Sequence, residues 1–296
     1  MSYFHLNLIL KGKLTVCCLL MLSVIPLNAQ REAKQIGDFK ESISLNEHLR
    51  GTKRTLQYCP DGDEFVCVNG KNRYTRALYG SHSPFRVETS DRPVFAFYNN
   101  GRGGNISFKV ILRDGTELAL DRTGYCESRY SAGKRTSYLT DPSWGKGELR
   151  ISVLALADMD GAIWRFSPSN MPKGAILRWQ HGGATGKRLS RNGDMGVDPA
   201  DCFELPAEAT DLVTGELALQ KEVYLVRGEV PEGYNVRKLY QQAEAASLAL
   251  ASHLKIETPD PYLNTLGGAL VAAADGIWDG QVWFCLLYTS DAADEL

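Results

Sequence analysis

The chain has 296 residues, with 33 Lys plus Arg against 35 Asp plus Glu, a formal net charge of −2 and 44% hydrophobic residues. This even balance leaves no basic footprint for nucleic acid and allows a neutral or mildly acidic partner. Past the first thirty or so residues no apolar run reaches the ~18 needed for a membrane-spanning helix.

The amino terminus reads as a secretory signal over residues 1–29. Lys11 and Lys13 precede the apolar stretch Leu14 to Pro26, and Ala29 supplies the small residue at the cleavage point. That apolar core, about thirteen residues, is shorter than the roughly twenty that span a bilayer. Export to the periplasm or beyond is expected. Cys17 and Cys18 leave with the signal, so Cys59, Cys67, Cys126 and Cys202 remain in the central chain. Several disulfide pairings are open to them, but a domain of this size folds without one, and buried free thiols are the favoured reading. Their scattered spacing gives no structural zinc site.

From Arg54 to about Gly228 short alternating runs are punctuated by Asp-Gly turns, the habit of antiparallel sheets. Ile106, Phe108, Val110 and Leu112 share a face, Asp114-Gly115 suits a two-residue type I′ turn, and Leu118 and Leu120 return. A second hairpin sets Leu149, Ile151, Val153 and Ala155 against polar Glu148, Arg150 and Ser152, turns near Asp160-Gly161, and returns through Ala162, Trp164 and Phe166. Its pattern predicts one buried face and one wet face. Arg54 to Tyr58, Glu64 to Val68, Val94 to Tyr98, Ala175 to Trp179 and Glu222 to Val226 are further strands. So many strands call for two stacked sheets, a mainly β antiparallel sandwich over residues 40–233. Trp144, Trp164 and Trp179 belong in or near its core.

Beyond Val230-Pro231-Glu232-Gly233 the period changes. Leu239, Ala243, Ala246, Leu250 and Leu254 fall at helical spacing, and Asp260-Pro261 offers an N-cap with proline at the first helical position for a second helix carrying Leu263, Leu266, Leu270, Ala274 and Ile277. Gly267 and Gly268 each weaken a helix interior by about 1 kcal/mol, which points to close approach of a further element downstream. The naked leucine stripe predicts poor solubility for the chain alone. Cys285 to Ser290 back-translates to the mosaic end of a sequencing transposon and Asp291 to Glu295 continue into its adapter, so residues 285–296 are read as a non-native tail.

Motifs that carry chemistry are few. Gly182-Gly183-Ala184-Thr185-Gly186-Lys187 is one residue short of a phosphate loop, with Arg188 where a magnesium-binding hydroxyl belongs. Gly101-Arg102-Gly103-Gly104 reads as a loop, not a dinucleotide fingerprint. Asp194, Asp198 and Asp201 lack the ligand alternation of a calcium loop. His82 and His181 read as hydrogen-bonded surface histidines in or beside loops. No metal ligand set and no cofactor is predicted. Trp278 beside Asp279 is the candidate substrate-binding pair, an aromatic platform next to a carboxylate as sugars prefer; a core tryptophan at a helix end is the competing reading.

Specific phrases resemble a secreted bacterial family, domain of unknown function 4450: Leu56-Gln57-Tyr58, Pro60-Asp61-Gly62, Arg76-Ala77-Leu78-Tyr79-Gly80, Phe85-Arg86-Val87-Glu88, Asp91-Arg92-Pro93, Val153 to Asp158 and Asp260 to Leu270. The resemblance implies a polysaccharide-degrading enzyme of six-hairpin glycosidase type. In it residues 234–284 are a linker helix, Val236 to Leu254, and the start of a truncated (α/α)6 barrel, Tyr262 to Gly280, with the catalytic residues on helices beyond. The partner implied is a polysaccharide or oligosaccharide, and the chain alone is expected to be inactive. Three functions stay open: a glycoside hydrolase, a polysaccharide lyase acting on rhamnose–glucuronate linkages, and a non-catalytic carbohydrate-binding module. If the signal reading is right, intact-mass measurement after bacterial export gives a product beginning at Gln30; a retained Met1, or lipid on Cys17 or Cys18, contradicts it.

Overall fold

The computed structural model describes residues 58–278, apart from 84, 100, 101, 183–211, 229 and 231–232. Nearly all of these belong to the second of two compact units, Pro60–Leu296. Sheet I runs β1 (Cys59–Asp61), β2 (Glu64–Val68), β8 (Tyr125–Ser131), β9 (Lys134–Thr140), β10 (Glu148–Ala155), β11 (Gly161–Ser169) and β14 (Val223–Gly228). Sheet II runs β13 (Val213–Ala218), β12 (Ile176–Gly182), β6 (Arg102–Ile111), β5 (Phe95–Asn99), β4 (Arg86–Thr89) and β3 (Arg76–Leu78), with β7 (Glu117–Ala119) also on β6. Two helices follow, α1 (Val236–Ala251) and α2 (Pro261–Gly276). The chain is mainly β, with two antiparallel sheets and a helix pair. No described helix is long and apolar enough to cross a membrane.

Alternation places one face of each sheet toward the other. Register pairs Phe97 with Gly104 and Phe95 with Ile106 in sheet II, and Val153 with Trp164 in sheet I. Trp164, fully buried, takes the edges of Phe95 and Phe97 at 5.8 and 5.7 Å, and Phe108 meets Phe166 at 5.0 Å. Perpendicular ring geometry brings the positive edge of one ring to the negative face of another. These contacts join the two sheets.

The second hairpin departs from its expected wet face. Ser152 and Leu154, on the outward side of β10, are as buried as Ile151 and Val153. The cover is α1: Leu239, Tyr240 and Ala243 pack on Leu154, Leu156 and Ile163. Tyr240 lies under the Arg165 guanidinium at 4.4 Å and meets the Tyr224 edge at 5.7 Å. Lys134 reaches Glu244 of the helix at 3.1 Å. A period-two pattern cannot register a cover supplied by a helix far along the chain.

At one corner buried charge ties both sheets together. Asp91, in the β4–β5 turn of sheet II, and Arg135, on β9 of sheet I, are essentially inaccessible, with Nη2 3.7 Å from Oδ1. The same Nη2 donates to the Ser90 carbonyl at 2.9 Å, while Asp91 accepts from the Asn72 amide at 2.8 Å and the Thr75 hydroxyl at 3.3 Å. Arg92 donates to the carbonyls of Gly70, Asp121 and Thr123 and to the Asn69 side chain. Asn69, at φ 50°, receives the Cys126 amide in turn. Two arginine side chains thus serve carbonyls that no strand ladder reaches.

The expected cap holds. Asp260 accepts from the Tyr262 amide at 2.8 Å and Pro261 opens α2. Other expectations change. The β6–β7 connection is wider than a two-residue type I′ turn, since Gly115 has positive φ but Asp114 does not, and Leu112 bonds across to Thr116. Arg102 to Gly104 are the start of β6, not a loop. Gly267 and Gly268 do meet close neighbours, but these are described ones: a Cβ on Gly267 would lie 2.9 Å from the Leu254 carbonyl oxygen, and one on Gly268 3.2 Å from Ala132 and Ala251. Arg54 to Gln57 and Cys202 lie outside the described residues, whereas Cys59, Cys67 and Cys126 are buried.

Truncating Trp164 to Ala is expected to cost about 3–5 kcal/mol by the cavity it leaves. Asp91→Ala is expected to cost a comparable ~3–5 kcal/mol, because it strands the Arg135 charge inside. Urea unfolding checks both, and a loss under ~1 kcal/mol at either position contradicts the corresponding contact.

Candidate functional site

A cleft of about 570 Å³ lies where β3, β2 and β8 face the helix pair and brings polar groups together. Its volume falls within the ~300–1,000 Å³ usual for small-molecule sites. The apolar lining includes alanines, Ala77 and Ala155 from the sheets, Ala243 and Ala246 from α1 and Ala269 and Ala273 from α2, together with Phe65, Leu250, Leu266 and Leu270. Polar side chains enter from Arg76, Tyr79, His82, Tyr130, Ser247 and Asp275.

The segment after β3 shapes the rim. Gly80 lies so close to the Leu156 backbone that a Cβ there would fall 1.9 Å from its carbonyl oxygen, so only glycine fits. Ser81 donates to Asp160 Oδ1 at 2.9 Å, and Ser83 donates to the same oxygen. His82 Nε2 stands 3.2 Å from Asp275 Oδ1 at the end of α2. Tyr79 packs against Gly276, where a Cβ would fall 2.2 Å from the ring. The rim loop is therefore tied at once to the β10–β11 turn and to α2. On the far side Ser247 donates to the Ala132 carbonyl at 2.6 Å, and Thr265 donates to that of Gly62 at 2.8 Å.

Burial pushes the Tyr79 hydroxyl above its ordinary pKa, reinforced by the Glu88 carboxylate and opposed by Arg86. Burial raises Tyr130 too, against the Gly133 amide and the Arg76 and Arg135 charges. Both phenols are neutral near pH 7 and serve as hydrogen-bond donors. The Arg76 guanidinium stands 5.7 Å from the Tyr130 ring centroid. Although Ser81, His82 and Ser83 are adjacent to two aspartates, they form no nucleophile and base pair: both serines donate to Asp160, and the imidazole faces Asp275. Cys126 is equally unsuited, since burial lifts its thiol to about 12. Among the described residues no three His, Cys, Asp or Glu side chains gather as metal ligands.

Of the predicted substrate-binding pair, Trp278 is half-buried with its amide donating to the Asp275 carbonyl at 3.0 Å, and Asp279 lies outside the described residues. The α2 wall of the cleft ends at Asp275. His82 is exposed as expected, though partnered by Asp275. His181 sits near the end of β12, half-buried, with Nδ1 2.7 Å from the Asn105 carbonyl and its ring 5.6 Å from Phe97. Asp194, Asp198, Asp201 and Gly183 to Lys187 lie outside the described residues. Arg76, Tyr79 and Asp275 went unnoticed as site residues. The first two stand in the phrase Arg76 to Gly80 that carried the family resemblance; Asp275 had no local signal.

Fold and cleft together define a two-sheet β protein with a helix pair that leaves a small-molecule-sized cleft. Residues 100–231, from the start of β6 through β14, match the family model described as Domain of unknown function (DUF4450). No curated protein matches the chain at a significant level.

Labelling checks the cysteine assignment. Native protein at pH 8 is expected to leave Cys67 and Cys126 unreacted with iodoacetamide, and urea-unfolded protein to label both; rapid native labelling of Cys126 contradicts the buried thiol.

Proposed function

We propose that this chain is the amino-terminal part of a secreted polysaccharide-degrading enzyme, a glycoside hydrolase of six-hairpin type. In this reading the two sheets form its β-sandwich, α1 is the linker and α2 is the first helix of an (α/α)6 barrel. The supporting observation is the exposure of large apolar side chains on the helix pair and its connection: Leu248 at 59%, Leu254 at 39%, Leu263 at 45% and Leu270 at 46%. Aligned apolar side chains on helices mark a surface built for further packing. A hydrolase needs one carboxylic acid to protonate the leaving oxygen and a second carboxylate to attack or to activate water. Asp275 faces His82, not a second carboxylate, so the proposal assigns the catalytic pair to barrel helices beyond Trp278.

A second reading, a lyase acting on uronic-acid glycans, is favoured by one feature, the Tyr79, His82 and Arg76 side chains lining a single cleft. A lyase needs a base for the proton beside the sugar carboxylate and a cation to steady the enolate. The test is to recover the reading frame downstream of the Phe284 codon from the source DNA and assay its product on plant glycans containing uronic acid. Release of reducing sugar without absorbance from unsaturated products is the expected result. Growth of that absorbance selects the lyase, and release of neither overturns both enzyme readings.

A further inference from the structure

We propose that Arg150 and Arg165, neighbours on the outer face of sheet I at the margin of α1, form a binding site for a tetrahedral oxyanion carrying two negative charges, the chemistry shared by inorganic phosphate and a phosphate monoester. The proposal goes beyond the carbohydrate reading and does not depend on it.

Strand register brings the two arginines together. Arg150 of β10 pairs with Ser167 of β11, and Ser152 pairs with Arg165, so the arginines are diagonal neighbours, about 7–8 Å apart along the backbone lattice. Ile151 and Val153 on β10, and Trp164 and Phe166 on β11, are buried in the core, which turns both arginines to the outer face. There α1 covers Leu154 and Ile163 and leaves Arg150 and Arg165 half-buried at its edge.

Neither guanidinium has an acceptor. The Nε of each is inaccessible and unbonded, and neither side chain makes a hydrogen bond or ion pair among the described residues. The carboxylates nearby are committed elsewhere: Glu222 accepts from Tyr224 at 2.6 Å, Arg237 at 2.8 Å and Ser167 at 3.3 Å, and Glu244 pairs with Lys134 at 3.1 Å. Glu148, two residues before Arg150 on the same face, is exposed and makes no ion pair with it. Two like charges set side by side on a sheet repel, and a dianion between them relieves that repulsion. The Tyr240 ring, 4.4 Å from the Arg165 guanidinium, steadies it without supplying an oxygen acceptor. Burial pushes the Tyr240 hydroxyl up to about 12, against the opposing charges of Arg165 and Arg150, so a neutral phenol stands near both cations. Planar guanidinium forks suit phosphate oxygens through paired, charge-assisted hydrogen bonds. Tyr138, directly opposite Arg150 on β9 and exposed, offers a ring to an organic group carried by the phosphate.

The experiment is calorimetric titration of the full chain with inorganic phosphate, phenyl phosphate and acetate, at about pH 8 and about 0.15 M salt, where phosphate is a dianion and exposed charges are screened. Wild type is expected to bind phosphate with a Kd of about 1 mM or tighter, and acetate at least about tenfold more weakly. Arg150→Gln and Arg165→Gln are each expected to weaken phosphate binding at least about tenfold. If Arg165→Gln fails to fold, Arg150→Gln carries the test, because it leaves the Tyr240 contact in place. Lys109→Gln removes a positive charge from the other sheet and is expected to change nothing. Tighter binding of phenyl phosphate, lost in Tyr138→Ala, assigns the site to a phosphate ester; binding no tighter than that of the inorganic ion assigns it to free phosphate. Absence of phosphate binding, acetate binding as tight as phosphate, an unaffected Arg150→Gln, or an equal loss in Lys109→Gln each overturn the proposal. Any of those results leaves the enzyme reading untouched, since no step of it uses these arginines.

Discussion

The buried pair Asp91–Arg135 is the constraint on which the rest depends. Each charge alone would be costly away from water, and neither sheet could carry its member without the other. Asp91 comes from a turn of sheet II and Arg135 from a strand of sheet I, so the pair exists only when the sheets are in register. Arg92 extends the effect by donating to carbonyls on two further connections. The aromatic packing around Trp164 joins the two sheets by apolar burial, but packing alone is tolerant of displacement. A buried ion pair whose members are each hydrogen-bonded to fixed neighbours is not, because those bonds depend steeply on geometry.

From that corner the position of the cleft follows. Thr75 donates to Asp91, and β3 begins at the next residue, so the corner fixes where the edge strand starts. Arg76 and Tyr79 lie on that strand and just beyond it. The loop that continues is then held by Gly80 on the Leu156 backbone and by Asp160, whose turn belongs to the hairpin that α1 covers. Sheet register, rim loop and helix pair are thus mechanically one assembly. The cleft is bounded by helices and strands on both sides, the arrangement that holds side chains most precisely.

How much of this was legible in the sequence depended on the range of the interaction. Glu64 to Val68 was read correctly from alternation, and the Asp260-Pro261 cap from two adjacent residues, because both are local. The wet face expected of β10 was misjudged because its cover, Tyr240 and its neighbours, lies on a helix that a strand pattern cannot anticipate. Gly103 and Gly104 looked like a loop on composition, yet ladder pairing with Phe97 and Tyr98 holds them extended. The cleft was the least legible part. His82 and Asp275 are 193 positions apart, and nothing near either residue announces the other. Trp278 drew attention by its type, whereas many of the residues that line the cleft are alanines, which carry no signal on their own.

The most direct test of the corner's role is native-state hydrogen exchange at the amides of Asn72 and Asp91, compared with those of Ile163 and Phe166 in the hairpin core. If the buried pair holds the sheets together, the two corner amides exchange only through global unfolding, with the same opening free energy and denaturant dependence as the core strand. Exchange of Asn72 and Asp91 through small local openings, while Ile163 and Phe166 stay protected, would show that the corner opens independently and would contradict the account.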